Sequence, residues 1–218
     1  MQNPFLPGFE QLPVTLPVFP LAGALVMPGA QLPLNIFEPR YLNMVQDVLG
    51  THHLIGMLQP DEEASPGMTE RLHRTGTAGR ITSYSETQDG RIEIVLTGVC
   101  RFDILEELTC LRGYRLVKPD WGRYQQDFTA PKKDPAMDEA ALFPLLDDYL
   151  ASIGLTIDSE LMHQLPFARL VNLLITQLPL PQNDKQAMIE TLSDHERYTL
   201  LCRSLGMAST QDPHQRRH

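Results

Sequence analysis

Lysine is scarce. Only Lys118, Lys132, Lys133 and Lys185 occur in 218 residues, and the rest of the 18 basic side chains are arginine. A phosphate-cradling loop ends in Gly-Lys-Ser/Thr, so that the lysine reaches the β and γ phosphates and the hydroxyl reaches magnesium. None of these lysines follows a glycine or precedes a hydroxyl residue, which excludes a Walker-type ATPase within this sequence. Cysteine is scarce too: Cys100, Cys110 and Cys202 are odd in number and contain no Cys-x-x-Cys pair. Neither a disulfide framework nor a zinc knuckle is indicated, and three buried, reduced thiols are expected. No uninterrupted apolar run approaches the ~18 residues of a membrane span. The apolar stretch 12–27 is broken by Pro13, Pro17 and Pro20, with no basic residue ahead of Arg40, so it does not read as a signal peptide. A soluble, cytoplasmic protein with no membrane partner is the expectation.

Catalytic motifs are missing as well. A nucleophile elbow needs Gly-x-Ser-x-Gly; Cys202-Arg203-Ser204-Leu205-Gly206 lacks the first glycine and falls on a helical pattern, where core packing and a C-cap explain it. His195-Glu196 begins a zinc-protease helix, but Thr199 occupies the second ligand position. His52 and His53 are adjacent at a strand start, where successive side chains diverge, and His73 and His163 are isolated. The runs Asp61-Glu62-Glu63 and Glu106-Glu107 read as solvated faces rather than acid/base pairs. No cofactor or metal site is indicated.

Positive charge is also in deficit. Acidic residues number 27, the net charge is −9, and the deficit is shared: residues 1–128 hold 10 basic and 15 acidic side chains, residues 129–218 hold 8 and 12. Neither half is an electrostatic footprint for nucleic acid, although Arg71, Arg74, Arg80, Arg112, Arg115 and Arg123 are candidates for a local stripe.

What is present is a change of period. Residues 1–12 are Pro-rich and read as a flexible arm. Over 17–124 the pattern is mostly period two. Leu32, Leu34 and Ile36 alternate after the Pro28-Gly29 turn, and Ile92, Ile94 and Leu96 form another strand. Asp89-Gly90 predicts a type I′ hairpin between 79–84 and 91–96. Further strands are expected at 53–59, 99–107 and 111–117. One helix interrupts them, with Pro39 in its first turn, Leu42, Val45 and Leu49 at helical spacing, and Gly50 following the last turn as a C′ residue. The acidic stretch 60–70 reads as a loop. After Thr129-Ala130-Pro131-Lys132-Lys133-Asp134-Pro135 the period becomes 3.6. Asp138 caps a helix carrying Leu142, Leu145, Leu146, Tyr149 and Leu150. Pro166 opens a second with Leu170, Leu173, Leu174 and Leu178, stopped by Pro179 and Pro181. A third covers 184–192, and a fourth starts at Asp194 and ends before Gly206, leaving a flexible tail from Ser209. The expected class is α+β: a β module at 13–128 followed by a helical bundle at 136–208.

Several segments combine into a family pattern. Leu16-Pro17-Val18-Phe19-Pro20-Leu21, Val26-Met27-Pro28-Gly29 and Leu32-Pro33-Leu34-Asn35-Ile36-Phe37-Glu38-Pro39-Arg40-Tyr41 resemble the opening of the Lon protease amino-terminal domain, in its stand-alone bacterial form and in the related segment of cereblon. Gly76-Thr77-Ala78-Gly79-Arg80-Ile81, Gly90-Arg91-Ile92 and Leu96-Thr97-Gly98-Val99-Cys100-Arg101-Phe102 continue the likeness. So do Pro179-Leu180, Asp184-Lys185-Gln186, Ile189-Glu190 and Glu196-Arg197. The resemblance implies a PUA-like β barrel with one inserted helix, then a helical bundle. It also implies a non-catalytic role in recognising unfolded or partly unfolded polypeptides, as an adaptor for, or competitor of, a separate protease or chaperone. The Lon ATPase and peptidase modules have no counterpart in these residues. A PUA-like barrel that binds RNA or a small ligand is the alternative reading.

The candidate peptide-binding residues are Phe37, Glu38, Arg40, Tyr41, Arg101 and Met57. The corner 37–41 has two readings. Structurally, Phe37 staples into the core, Glu38 sits at the helix N-terminus and Arg40 pairs with a carboxylate. Functionally, Arg40 and Tyr41 border a groove for an extended peptide. Arg101 carries the same pair of readings, with Glu38 as its partner across the sheet. Met27, Met44, Met57 and Met68 suit either an adaptable binding surface or core filling. Self-association into a homodimer through the helices is compatible with the sequence, which sets no stoichiometry.

Overall fold

The structure is a computed structural model that describes residues 5–61, 71–109, 112–131, 134–156, 162 and 164–210, the last three of these without their side chains. The acidic loop, Met68 and Cys110 fall outside the described residues, apart from Pro60 and Asp61 of that loop. The chain divides into two compact units, Met1–Ala130 and Pro131–His218.

The first unit is a barrel. Its strands are β1 (Leu16–Pro20), β2 (Gln31–Ile36), β3 (Leu54–Leu58), β4 (Thr75–Glu86), β5 (Ile92–Leu108) and β6 (Arg115–Asp120), with helix α1 (Pro39–Leu49) between β2 and β3. They lie in the order β2-β5-β4-β3-β1-β6, and β5 also pairs with β6, which closes five of them into a ring. The 17-residue β5 makes closure possible. Its first half pairs with β2 and β4, and its second half, from Asp103 to Leu108, pairs with β6. The separate strands expected at 91–96 and 99–107 are therefore one. The Gly98 between them keeps the strand going because it has no Cβ. A Cβ there would stand 2.1 Å from the Met27 carbonyl oxygen, and Gly98 instead exchanges backbone hydrogen bonds with Gly29 and Ala30 at 2.9 Å each.

The barrel interior holds Leu16, Val18, Leu54, Leu58, Ala78, Cys100, Phe102, Val117 and Tyr124. A second apolar layer, including Ile36, Ile55, Met57, Ile81, Ile92, Ile94 and Leu96, is covered by α1. The helix buries Tyr41, Met44, Val45 and Val48, so its stripe is rotated from the expected one and Leu42 and Leu49 flank it. Gly50 follows the last turn as the C-cap, with right-handed backbone (φ −80°) and its N–H donating to the Gln46 carbonyl at 3.3 Å. The hairpin differs in kind as well. Only Gly90 takes positive φ, at +80°, and its N–H donates to the Thr87 carbonyl at 3.1 Å. The loop is thus longer than a two-residue type I′ turn. The N-terminal segment is docked rather than free from Leu6 onward: Leu6 and Leu12 pack on the barrel core, and Phe9 meets Phe128 edge to face at 5.7 Å.

Among the described residues the second unit holds α2 (Glu139–Ser152), α3 (Phe167–Gln177), α4 (Gln182–Glu190) and α5 (Asp194–Thr210). Asp138 caps α2 by accepting from the Ala140 N–H at 2.9 Å, as its sequence position predicts. α5 runs through Gly206 instead of stopping before it. Leu142, Leu146, Tyr149, Leu150, Leu170, Leu174, Ile175, Met188, Leu201 and Leu205 are buried. No helix among the described residues is long and apolar enough to cross a membrane.

Candidate functional site

The corner between β2 and α1 is built by its own sequence. Pro39 supplies a fixed φ in the helix's first turn and needs no N–H partner there. Glu38 is the cap residue with extended backbone, and its carboxylate serves Arg40 instead of the helix, accepting from Arg40 Nε at 2.9 Å. The guanidinium lies 4.5 Å from the centre of the Tyr41 ring, which in turn packs on Phe19 with 4.3 Å between centroids. Tyr41 is buried and Arg40 is exposed, so the ring positions the cation at the surface.

Phe37 does not staple into the core; it is 63% exposed. The alternation along β2 explains this. Ile36 is buried, so the next side chain leaves on the opposite face, where the Arg91 guanidinium stands 5.9 Å from its ring. The connection from β5 to β6 flanks the corner. Arg112 reaches Asp47 at 3.0 Å and Asn43 at 3.2 Å, Tyr114 donates to Asp47 at 2.9 Å, and Gly113 approaches the Arg40 side chain.

Arg101 and Met57 are elsewhere. Each is 1% exposed. Arg101 does not meet Glu38. Its Nε and Nη2 donate to the two Asp127 oxygens at 3.0 and 2.6 Å, the Arg101 backbone N–H adds a bond at 2.9 Å, and the guanidinium lies 4.8 Å from the Tyr124 ring centre. The Tyr124 hydroxyl donates to Asp103 at 3.0 Å, and Thr75 donates to the same oxygen at 2.6 Å. This polar network ties β4 and β5 to the segment 122–128 and keeps the Arg101 guanidinium off the surface, and nothing in the local sequence around Arg101 points to a carboxylate at 127. Met27, Met44 and Met57 are all buried, so among the described methionines of this unit core filling holds and a methionine-lined groove does not.

Burial pushes the Cys100 thiol pKa up, with the Asp127 charge adding to the effect, so no thiolate nucleophile is present there. Among the described residues no cluster of three or more His, Cys, Asp or Glu could hold a metal. Five of the six candidate stripe arginines meet local partners: Arg115 on Glu107 at 2.6 Å, Arg123 on Asp103 at 3.5 Å, Arg112 on Asp47, Arg71 on Asp61 at 3.9 Å, and Arg80 on the His52 carbonyl at 3.2 Å.

Comparison with known proteins agrees with this architecture. Residues 15–206 match the family described as the ATP-dependent protease La (LON) substrate-binding domain. Lon protease 2 of Myxococcus xanthus is 25% identical over 220 residues, covering 94% of this chain and 25% of that protein. The chain spans a quarter or less of the length of the Lon proteases that it matches. Among solved structures, the Lon N-terminal domain protein from Xanthomonas campestris superposes with a TM-score of 0.60 at 22% identity, covering 87% of this chain and 97% of that one. The N-terminal domain of the Mycobacterium avium complex Lon protease gives 0.53 at 14% identity, covering 88% and 97%. The chain shares its fold with these Lon N-terminal domains, and it belongs to the LON substrate-binding domain family.

Proposed function

We propose that the chain is a non-catalytic module that recognises extended or partly unfolded polypeptide segments, and that it acts as an adaptor in proteolysis or protein quality control. The observation that carries this reading is the match of residues 15–206 to a substrate-binding domain family. The corner is where the contact falls. Phe37 offers an exposed aromatic face, Arg40 and Glu38 offer one charge of each sign at its side, and Tyr41 holds Arg40 in place. Arg101 and Met57 take no part, since neither reaches the surface. An apolar anchor beside oriented polar groups is the pattern by which a surface captures extended segments.

The test is a titration of a labelled, permanently unfolded polypeptide by fluorescence anisotropy. Binding of micromolar strength is expected, weakened by Phe37→Ala and by Arg40→Ala while the melting temperature stays within a few degrees of the parent. Failure of any peptide in an array to bind would sink the proposal.

A further inference from the structure

Beyond the corner, β2, β5 and β4 continue as a ribbon with two different faces. One face, with Ile36, Ile92, Ile94 and Ile81, is packed under α1. The other holds an open depression of about 430 Å³ lined by Pro33, Asn35, Ser83, Ser85, Glu93 and Val95, with Leu34 and Ile94 completing its floor. Strand register arranges these residues in rows. Pro33, Val95 and Ser83 stand side by side, then Asn35, Glu93 and Ser85. Two residues beyond Asn35, just past the end of β2, comes Phe37, with Arg91 against it. Successive rows are therefore two residues apart, roughly 6.6–6.8 Å along a strand, which is the spacing of alternate side chains in any extended chain.

The rows differ in chemistry. The first is apolar at Pro33 and Val95. The second is centred on Glu93, which is the one ionisable side chain lining the depression and meets no cation within ion-pair distance among the described residues. The nearest arginine in the row beyond, Arg91, is held by Asp89 at 2.9 Å. The third row is the exposed Phe37 ring. An uncompensated carboxylate between two apolar positions, on a unit with more acidic than basic residues, selects a cationic side chain flanked by apolar ones.

We infer that this open ribbon face, with Glu93 at its centre, seats an extended polypeptide segment of the pattern apolar-x-Lys/Arg-x-apolar from a client protein. The inference rests on the polypeptide-recognition reading above and specifies its substrate class. The first apolar side chain lies on Pro33 and Val95, the cation meets the Glu93 carboxylate, and the second apolar side chain stacks on Phe37. Asn35, Ser83 and Ser85 supply hydrogen-bonding groups to the main chain of the segment.

The experiment uses the full chain and two labelled peptides, one with a Leu-Ser-Lys-Ser-Phe core and one with lysine replaced by glutamate, at low and physiological salt. The lysine peptide should bind more tightly, by about threefold for one exposed charge pair, with the preference shrinking as salt rises. Glu93→Lys should reverse the order of the two peptides. Ser85→Arg, which places a cation in the same row, should weaken the lysine peptide with Glu93 intact. Both positions are exposed, and an unchanged melting temperature verifies the fold. Equal binding of the two peptides, or a preference that Glu93→Lys leaves unaltered, overturns the inference. If an unfolded polypeptide still binds and Phe37→Ala still weakens it, the recognition reading survives that result. If no polypeptide binds at all, both fail.

Discussion

In the β unit, Arg101 is buried against a carboxylate that is itself buried, Asp127, whose side chain is 6% exposed. In the helical unit, Arg197 is equally buried, yet its carboxylate Asp194 is 44% exposed. Arg197 also donates to Asn172 at 3.2 Å and to the carbonyls of Met188 and Thr191 at 3.4 and 3.1 Å, at the C-terminal end of α4. One unit neutralises its buried cation with a distant buried anion, and the other with the carbonyl end of a helix and a neighbour three residues away. The difference follows from topology. A barrel has no helix terminus facing its core, so the counter-charge must be brought from another segment. A helical bundle has carbonyl-rich ends to spare.

The comparison makes the Arg101 pair the costlier one to break. Arg101→Ala leaves Asp127 as a buried, unpaired charge and should destabilise the β unit by about 3–5 kcal/mol. Urea unfolding followed by fluorescence of Trp121, the single tryptophan, reads this unit directly. The double variant Arg101→Met with Asp127→Leu should recover much of the loss, because both charges are then removed. A double variant no better than the single one would mean that the network sets packing and that the pair's charge is incidental.

Arg197→Ala should cost less, about 1–3 kcal/mol, since Asp194 stays solvated and the loss is that of hydrogen bonds to the α4 carbonyls and Asn172. Far-UV circular dichroism during the same titration follows the helical unit. An effect on it as large as that of Arg101→Ala on the barrel would abolish the distinction drawn between the units.

The smallest effect concerns Lys185 of α4, whose pKa burial lowers to about 8 from 10.5. A base with a depressed folded value is stabilised by its neutral form. Between about 8 and 10.5 the unfolded chain holds the proton and the folded chain does not, so this group's contribution rises with pH across that window and its penalty is complete below it. Cys202 and Tyr198 in the same unit are shifted upward, chiefly by burial, and act in the opposite direction. The difference between the parent and Lys185→Met isolates the lysine. The advantage of the variant should be largest near neutral pH and should shrink as pH climbs through the window. A difference that is constant with pH would place the Lys185 ammonium in a solvated setting in both states.

Much of the fold is legible along the chain, because period two and period 3.6 are local consequences of backbone geometry. Leu32, Leu34 and Ile36 mark β2, Asp138 marks the start of α2, and Pro39 opens α1. The glycines and arginine of the family pattern are legible as a pattern, and their reason is steric and electrostatic: Gly98 admits the Met27 carbonyl, and Arg101 locks Asp127 and Tyr124. The candidate site was only half readable. Glu38, Pro39 and Arg40 form the corner that their spacing suggests, whereas the outward turn of Phe37 depends on which face of β2 the α1 helix covers. Gly206 illustrates the limit from the other side, since a helix whose flanks are packed passes through a glycine at a cost of only ~1 kcal/mol.

By itself the sequence determined where most strands and helices lie, the family, and the absence of Walker and nucleophile-elbow motifs within these residues, because each of those depends on neighbours a few positions apart. Tertiary structure alone decided that β5 is one strand, that Asp127 answers Arg101, that Met27, Met44 and Met57 are core, and that Glu93 stands on an open face without a cation among the described residues. Those outcomes join residues dozens of positions apart, where the pairing depends on barrel closure and on which carboxylate is carried to which face, and no short-range periodicity records either.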